Sequence, residues 1–469
     1  MSDLCAASAT GLLELYRKKT LSPVEVAKAV RERIAKLNPV FNAFCFLNEN
    51  LESEAKASET RWLRGEPKGL LDGVPVSIKD LILTQGWPTR RGSKTVDAAG
   101  PWNDDAPAVA RLKEHGALLL GKTTTPEFGW KGVTDSPLTG ITRNPWDPRK
   151  TPGGSSGGAA AALASGMGPL ALGTDGGGSI RIPCSFTGLF GIKPSFGRVP
   201  AWPPSPFGTV AHVGPMTRSV ADAALMLNVL SQPDARDWHG LPYDERDYRS
   251  RLDLGIRGLR IAYSPDLGYA KVDPEVAALV REAVKVFQDL GANVEEKNPG
   301  FENPEPVFKA HWFPGAALLL KDFPAEKKRH IDPGLLEVAA QGAKFPMLEV
   351  LEAQQKRAAL GMHMNLFHRD YDLLVTPTLA VPAFDVGKEF PDNPKGGRWT
   401  DWTPFTYPFN LTQQPAASIP CGLTKAGLPV GLHIVGRRYA DATVLRAARA
   451  FESARPVSTP DLAKTSGVK

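Results

Sequence analysis

Two glycine-rich loops, each carrying a serine, lie between residues 151 and 194. Ser155 falls in GGSSGG and Ser179 falls in GTDGGGSIR, 24 residues further along. Glycine allows the backbone to approach a ligand closely, so the loops indicate a site where N–H groups and hydroxyls converge on one small group. A serine hydroxyl is a weak nucleophile that needs a base. The nearest candidate base is Lys79, which ends the apolar segment GVPVSIK.

The lysine and the two serine loops occur together with further segments that closely resemble the amidase signature family of serine hydrolases. These segments are GLFGIKPSFGRVP, GPMTRSVADAALML, FNLTQQPAASIPCG and GLPVGLHIVGRR, so the resemblance covers most of the chain. One departure is Gly176, at a position where an aliphatic residue or threonine is common in the family. The resemblance implies an α/β protein with the amidase signature fold, a central mixed twisted β-sheet covered on both faces by α-helices.

The resemblance also implies a catalytic triad. Ser179 would be the nucleophile, and Ser155 would relay its proton to the base. In the family this relay serine follows a cis peptide, which here would join Gly154 to Ser155. Lys79 would be the base, which requires it to be neutral, and desolvation at an apolar strand end lowers the pKa of a lysine. The chemistry needs neither a metal nor an organic cofactor.

Backbone N–H groups and neighbouring side chains complete the implied site. Backbone near Gly129 would face the scissile amide. Asp175 and Arg181 are interpreted as a structural pair that holds the loop, and Ser156 as a hydrogen-bond donor within the triad network. The N–H groups expected to form the oxyanion hole are those of Gly176, Gly177, Gly178 and Ser179.

Helical and strand patterns alternate along the chain, which is typical of an α/β fold. Ser22-Pro23-Val24-Glu25 has the pattern of a capping box that starts a helix. Short apolar runs predict strands at GLLDGVPVSIKD, ALLLGKTT, GLRIAYSPD, YDLLVTPTL and LPVGLHIVG. Further helices are predicted over residues 51–64, 105–115, 217–230 (amphipathic), 274–290 and 441–452.

We expect one amidase domain over residues 1–469. Residues 1–65 would form N-terminal helices, and residues 70–200 the signature core with the triad. Residues 300–370 are predicted to be mostly helical and to wall the substrate cavity. No internal repeat divides the chain.

Composition narrows the classes of partner. The net charge of +6 comes from 56 basic and 50 acidic residues without a basic run interleaved with aromatics, which argues against nucleic-acid binding. Four cysteines form no CxxC pair, which argues against a metal site and a disulfide framework. The N-terminus lacks the pattern of a secretory signal, and the uncharged stretch before Asp175 is too rich in glycine and proline for a membrane span. We expect a cytoplasmic protein with a small-molecule amide substrate; a homodimer, common in the family, is left open.

Two other functions fit part of the pattern. GGSSG also satisfies G-x-S-x-G, which would make Ser155 the nucleophile of an α/β-hydrolase-type esterase with His433 as its base. The segment NPWDPRKTP before it is a poor strand, which argues against this hypothesis. Within the family, the alternative is the amidase subunit of glutamyl-tRNA amidotransferase. GTDGGGSIRIP and PPSPFGTVAHVGPMTR favour a stand-alone amidase. Cys184 is possible as a nucleophile on residue type alone, but no histidine lies nearby in sequence, so Cys184 is expected to pack in the core.

The substrate is indicated only by aromatic residues that could line a pocket. They weakly favour an apolar or aryl acyl amide over a small charged one. The residues are Trp130, Trp202, Phe207, Trp312, Phe313 and Trp402.

Overall fold

A computed structural model describes residues 3–392, 396–456 and 458–465. Thirteen strands occur in this part of the chain. They are β1 (Phe44–Leu47), β2 (Pro75–Lys79), β3 (Leu118–Thr123), β4 (Asp135–Ser136), β5 (Gly140–Ile141), β6 (Leu170–Asp175), β7 (Phe190–Lys193), β8 (His212–Thr217), β9 (Arg260–Tyr263), β10 (Asn293–Glu296), β11 (Leu373–Pro377), β12 (Ala416–Leu423) and β13 (Pro429–Gly436).

Eleven of these strands form one sheet, in the order β1-β3-β2-β6-β8-β7-β12-β13-β11-β9-β10. Strand β2 is parallel to β3 and to β6, and β9 is parallel to β10 and to β11. The other neighbours in this sheet pair antiparallel. Strands β4 and β5 form a separate hairpin. The predicted mixed α/β sheet is confirmed.

Helices flank this sheet. They are α1 (Ala9–Arg17), α2 (Pro23–Phe41), α3 (Leu51–Arg64), α4 (Pro107–Glu114), α5 (Gly157–Ala164), α6 (Arg181–Thr187), α7 (Val220–Leu230), α8 (Pro274–Asp289), α9 (Glu305–Leu320), α10 (Ala325–Lys328), α11 (Pro333–Gly342), α12 (Met347–Asp370), α13 (Pro408–Leu411), α14 (Asp441–Ala454) and α15 (Leu462–Thr465). Within the described ranges, no helix is long and apolar enough to cross a membrane.

Local signals explain several of these elements. The capping box predicted for α2 is present, because Ser22 Oγ accepts from Val24 N and Glu25 accepts from Ser22 N. The five predicted strands correspond to β2, β3, β9, β11 and β13. The prediction of an amphipathic helix over residues 217–230 is wrong in two respects, the residue at which the helix begins and its amphipathic pattern. Residues up to Thr217 continue strand β8, and α7 is buried on nearly all sides rather than amphipathic.

The sheet positions the signature loops through its parallel strands β2 and β6. They are neighbours, with Ile78 opposite Leu172, so Lys79 and Asp175 end their strands at the same edge of the sheet. The alanine-rich helix α5 is wholly buried against this part of the sheet. Ser156 N, before α5, donates to Ser179 O at 3.2 Å, which holds the two serine loops together above that edge.

Candidate active site

Lys79 is fully buried at the end of β2 and is surrounded by hydroxyl groups. Its Nζ lies 2.7 Å from Ser155 Oγ, 2.9 Å from Ser156 Oγ and 2.8 Å from Thr174 Oγ1. Among the described residues no carboxylate forms an ion pair with this amine. Burial lowers the pKa of Lys79 well below its ordinary value, and the charge of Asp175 only partly opposes that shift. The surroundings therefore favour a neutral amine next to Ser155.

Ser155 is held by a tightly packed loop. The Gly154–Ser155 peptide bond is cis. A Cβ on Gly154 would lie 2.6 Å from the carbonyl carbon of Val133, so a larger residue does not fit there. Thr134 Oγ1 donates to Gly153 O at 2.8 Å and accepts from Gly157 N at 3.1 Å. The side chain of Thr134 thus fastens both ends of the loop that presents Ser155.

Ser179 lines the same cavity as Ser155, and the cavity has a volume of about 450 Å³. Gly129 lies beside Ser155, because a Cβ on Gly129 would be 3.4 Å from Ser155 Oγ and 2.6 Å from Leu81 Cδ1. The structure therefore brings both serines and Gly129 to one cavity, with Lys79 behind Ser155.

The loop of Gly176, Gly177 and Gly178 is fixed by its neighbours. A Cβ on Gly176 would be 2.8 Å from the Trp312 ring, and one on Gly177 would be 2.6 Å from the Trp399 ring. The N–H of Gly178 donates to Asp175 Oδ1 at 2.7 Å. The expectation that Gly178 contributes to an oxyanion hole is therefore wrong for this structure, because its N–H is already used.

The N–H groups of Gly176, Gly177 and Ser179 have no hydrogen-bond acceptor among the described residues. These three donors remain available to a ligand, whereas the N–H of Ile180 donates to Asp175 Oδ2 at 3.3 Å. The predicted set of four donors is thus reduced to three.

Asp175 and Arg181 form a fully buried ion pair. Arg181 donates from Nε to Asp175 Oδ2 and from Nη2 to Oδ1, both at 2.9 Å. Arg181 Nη2 also donates to Asn410 Oδ1 at 2.7 Å, and Nη1 donates to Thr406 O at 3.0 Å. Although burial opposes it, the Arg181 guanidinium holds the pKa of Asp175 well below its usual range. A charged carboxylate thus anchors the loop.

The sequence patterns did not identify Thr174 or Asn410 as residues of the site. Thr174 directly precedes Asp175 in GTDGGGSIR, and this position in the motif is the one feature of the sequence that could have indicated its role. Asn410 lies in FNLTQQPAASIPCG, a segment that carries the resemblance but was assigned no role. Asn410 Nδ2 donates to Asp175 Oδ1 at 2.9 Å, so it belongs to the same buried network.

The residues of the alternative hypotheses lie elsewhere. His433 Nε2 is 3.1 Å from Arg181 Nη1, and the other ring nitrogen is 3.4 Å from Thr376 Oγ1. Among the described residues, no hydrogen bond joins this imidazole to Ser155. Burial lowers the pKa of His433, and burial raises the pKa of the Cys184 thiol. The geometry therefore gives no support to a Ser155–His433 pair or to a reactive Cys184.

Aromatic side chains line the cavity. Of the six aromatic residues expected there, Trp202, Phe207 and Trp312 line it. Trp130, Phe313 and Trp402 do not line it and are buried in the core instead. Within residues 300–370, α9 alone contributes to the lining, through Trp312 and Leu319, so the predicted helical wall is narrower than expected. Aromatic lining residues that were not predicted are Phe128, Phe196 and Trp238.

Comparisons with known proteins agree with this fold and these motifs. Residues 25–445 match the family model described as Amidase. The chain is 40% identical to an acylamidase from Rhodococcus erythropolis, over 96% of this chain and 95% of that protein. It is 36% identical to a glutamyl-tRNA(Gln) amidotransferase subunit from Myxococcus xanthus, over 94% of this chain and 96% of that protein.

A solved structure is also similar over nearly the whole chain. The crystal structure of a bacterial aryl acylamidase of the amidase signature family has a TM-score of 0.92 and 34% sequence identity, covering 99% of each chain. The match extends from the signature loops to the flanking helices and sheet. The chain therefore belongs to the amidase signature family, and it is an enzyme that hydrolyses carboxylic amides.

Proposed function

We propose that Ser179 attacks the amide carbonyl and that Ser155 and Lys79 relay its proton. The hydrogen bond of 2.7 Å between Lys79 Nζ and Ser155 Oγ, in a fully buried setting, is the observation that carries this proposal. As the bond from Ser179 Oγ to the carbonyl carbon forms, Ser155 takes the proton of Ser179 and passes its own to neutral Lys79. That proton then goes to the leaving nitrogen as the carbon–nitrogen bond breaks. Water hydrolyses the acyl-enzyme to the carboxylic acid.

The negative charge of the tetrahedral intermediate would be stabilised by the N–H groups of Gly176, Gly177 and Ser179. These donors lack acceptors among the described residues and belong to a loop packed against aromatic rings. A donor fixed in this way contributes roughly 2.7–4 kcal/mol to transition-state stabilisation. Ser156 and Thr174 would orient the Lys79 amine through their hydroxyls.

A fluorophosphonate probe followed by peptide mapping tests the assignment of the nucleophile. We expect modification of Ser179 in the wild-type protein and none in the Ser179→Ala variant. Modification of Ser155 alone would overturn these roles and revive the esterase hypothesis with Ser155 as nucleophile. The Cys184→Ser variant is the control and should label like the wild type, because Cys184 is buried away from the cavity.

The aromatic lining of the cavity supports an apolar or aryl amide as substrate. Phe207 and Trp312 stack at 3.7 Å between ring centroids and present a flat apolar wall. We expect faster hydrolysis of an aryl acylamide than of malonamate, a small charged amide. A preference for malonamate would contradict this part of the proposal. The names of the acylamidase and aryl acylamidase relatives agree with it.

The second candidate function is that of the amidase component of a glutamyl-tRNA amidotransferase. One relative with that name is 36% identical over 94% of this chain. A protein of this kind would supply ammonia to partner chains rather than act alone. Turnover of simple amides by the isolated protein distinguishes the stand-alone amidase from this alternative.

We propose that the protein is located in the cytoplasm. All four cysteines, Cys5, Cys45, Cys184 and Cys421, are free thiols, as is usual in a reducing compartment. A homodimer remains an expectation from the family, and light scattering of the purified protein at several concentrations would test it.

A further inference from the structure

Arg91 lies in the wall of the cavity next to the proposed triad. Its φ of 56° is in the left-handed region, which few side chains adopt. Its carbonyl accepts from Phe128 N at 2.7 Å, beside Gly129, and the following Gly92 N donates to Asp80 Oδ2 at 3.3 Å. Asp80 directly follows Lys79 in the sequence, so the backbone of Arg91 is fastened to both segments that frame the site.

The guanidinium of Arg91 has no partner in the part of the chain that the structure describes. Among the described residues, no carboxylate lies within ion-pair distance of it and no acceptor receives its N–H groups. Burial lowers the pKa of Arg91, and the charge of Asp80 only partly opposes this shift. Arg91 is partly exposed, and its guanidinium carries five N–H donors and no acceptor. Its donors are therefore available to a molecule in the cavity.

The other charged residues of the cavity are already engaged. Arg236 pairs with Asp234 at 2.7 Å. Asp237, the one acid among the described lining residues, accepts from Ala201 N at 2.8 Å and from His239 N at 2.9 Å. Among the charged side chains that the structure describes in this lining, that of Arg91 is thus the one with neither a hydrogen bond nor an ion pair.

We propose that Arg91 binds a carboxylate carried by the substrate at a distance from the scissile amide. The substrate class is then an amide with an apolar or aromatic body and one anionic end, rather than a wholly neutral amide. A planar guanidinium binds a carboxylate through two parallel hydrogen bonds, which gives orientation as well as affinity. The aromatic walls would hold the body of such a molecule. This inference rests on the proposed function.

Two pairs of amides test the proposal. Each pair compares a carboxylate with a methyl group at the para position of the ring. In para-carbamoylbenzoate and para-methylbenzamide the ring belongs to the acyl part of the amide. In para-acetamidobenzoate and para-methylacetanilide it belongs to the amine part. In one of the pairs we expect the wild-type enzyme to have a higher kcat/KM for the carboxylate. In Arg91→Gln the ratio of carboxylate to neutral kcat/KM in that pair should fall roughly 10- to 100-fold, the range of a hydrogen bond to a charged group.

Two further variants distinguish the loss of the Arg91 charge from a general effect on folding. Arg90→Gln is the control, because Arg90 Nε donates to Val96 O at 3.3 Å and Arg90 does not line the cavity. It should leave the ratio unchanged. Arg91→Asn is a second variant, because asparagine tolerates the left-handed conformation better than glutamine. It should lower the ratio as Arg91→Gln does.

An unchanged ratio in both Arg91 variants would overturn the proposal, even with full hydrolysis of the neutral amides. If the wild type cleaves no amide of either pair, the proposed preference for aryl amides fails instead. Calorimetric titration of Ser179→Ala protein with para-carbamoylbenzoate and para-acetamidobenzoate then tests the carboxylate site without turnover. Binding that is lost on adding Arg91→Gln supports the site. Absent binding, or binding that persists in the double variant, contradicts it.

Discussion

At the scale of single residues, the buried amine of Lys79 is the group on which the proposed proton transfer depends. Replacing it in Lys79→Ala should lower kcat by about 10²–10⁴-fold, the range typical of a lost general base. The fold should be retained, since β2 is held by its neighbours β3 and β6. The measurement is turnover of an aryl acylamide together with circular dichroism. Near-normal turnover by the folded variant would refute the triad.

The pH dependence of activity provides a second test of the same residue. Only neutral Lys79 can accept a proton, so kcat/KM should rise with pH as the amine loses its proton. Because burial lowers the pKa of Lys79 well below 10.5, the rise should be complete well below that pH. A pH profile of kcat/KM for a neutral amide measures it. Activity that climbs only near pH 10.5 would contradict a neutral buried base.

Sequence patterns identified candidate site residues more reliably than they predicted the hydrogen bonds of those residues. Lys79, Ser155 and Ser179 were identified because three motifs carry them in a fixed order. The direction of the Gly178 N–H was predicted wrongly, since it depends on where the Asp175 carboxylate lies in three dimensions. The roles assigned to these residues stay predictions until variants are assayed.

At the scale of elements, the loop between β6 and α6 depends on the buried pair of Asp175 and Arg181. In Asp175→Asn the Arg181 guanidinium would lose its counter-ion, which costs about 3–5 kcal/mol of unfolding free energy. Urea denaturation measures this change. Glu14→Gln is the control, because the ion pair of Glu14 with Lys18 is exposed, and it should leave stability nearly unchanged. A loss in Asp175→Asn no larger than in the control would contradict the anchoring role.

Elements with clear local signals were predicted, and those without them were missed. Helix α2 has a capping box, and β2 has a β-branched apolar run bounded by glycine and aspartate. Strands β6, β7 and β8 read LALGTD, FGIK and HVGPMT, which have no alternation because both faces are buried. Their pairing depends on distant chain segments, so the local pattern could not predict it.

At the scale of the whole molecule, residues from the early and the late part of the described chain pack into one core. A single hydrophobic cluster includes residues from Cys5 to Phe451. Asp222 in α7 accepts from Ala9 N at 3.0 Å and from Thr10 N at 2.9 Å, which fastens α1 to that core. We therefore expect one cooperative unfolding transition. Coincident urea curves from far-ultraviolet circular dichroism and tryptophan fluorescence would support it, and separate transitions would argue for independent domains.

The buried lysines have a consequence for how the enzyme tolerates alkali. Lys79, Lys122 and Lys193 are fully buried, and burial lowers the pKa of each, that of Lys122 to about 8. Unfolding exposes these amines, so the chain takes up protons when it unfolds at mildly alkaline pH. Proton uptake on unfolding means that the free energy of unfolding increases with pH in this range.

Buried thiols oppose this trend at higher pH. Burial raises the pKa of Cys184 and Cys421, so unfolding above their ordinary value of 9.0 releases protons. Stability should therefore rise from neutral into mildly alkaline solution and rise less steeply above pH 9.0. Urea titrations from neutral to alkaline pH measure it, and a steady decline above neutrality would contradict it. If Lys79 is the base, as proposed, the enzyme would thereby gain stability in the same mildly alkaline solutions in which that base is deprotonated.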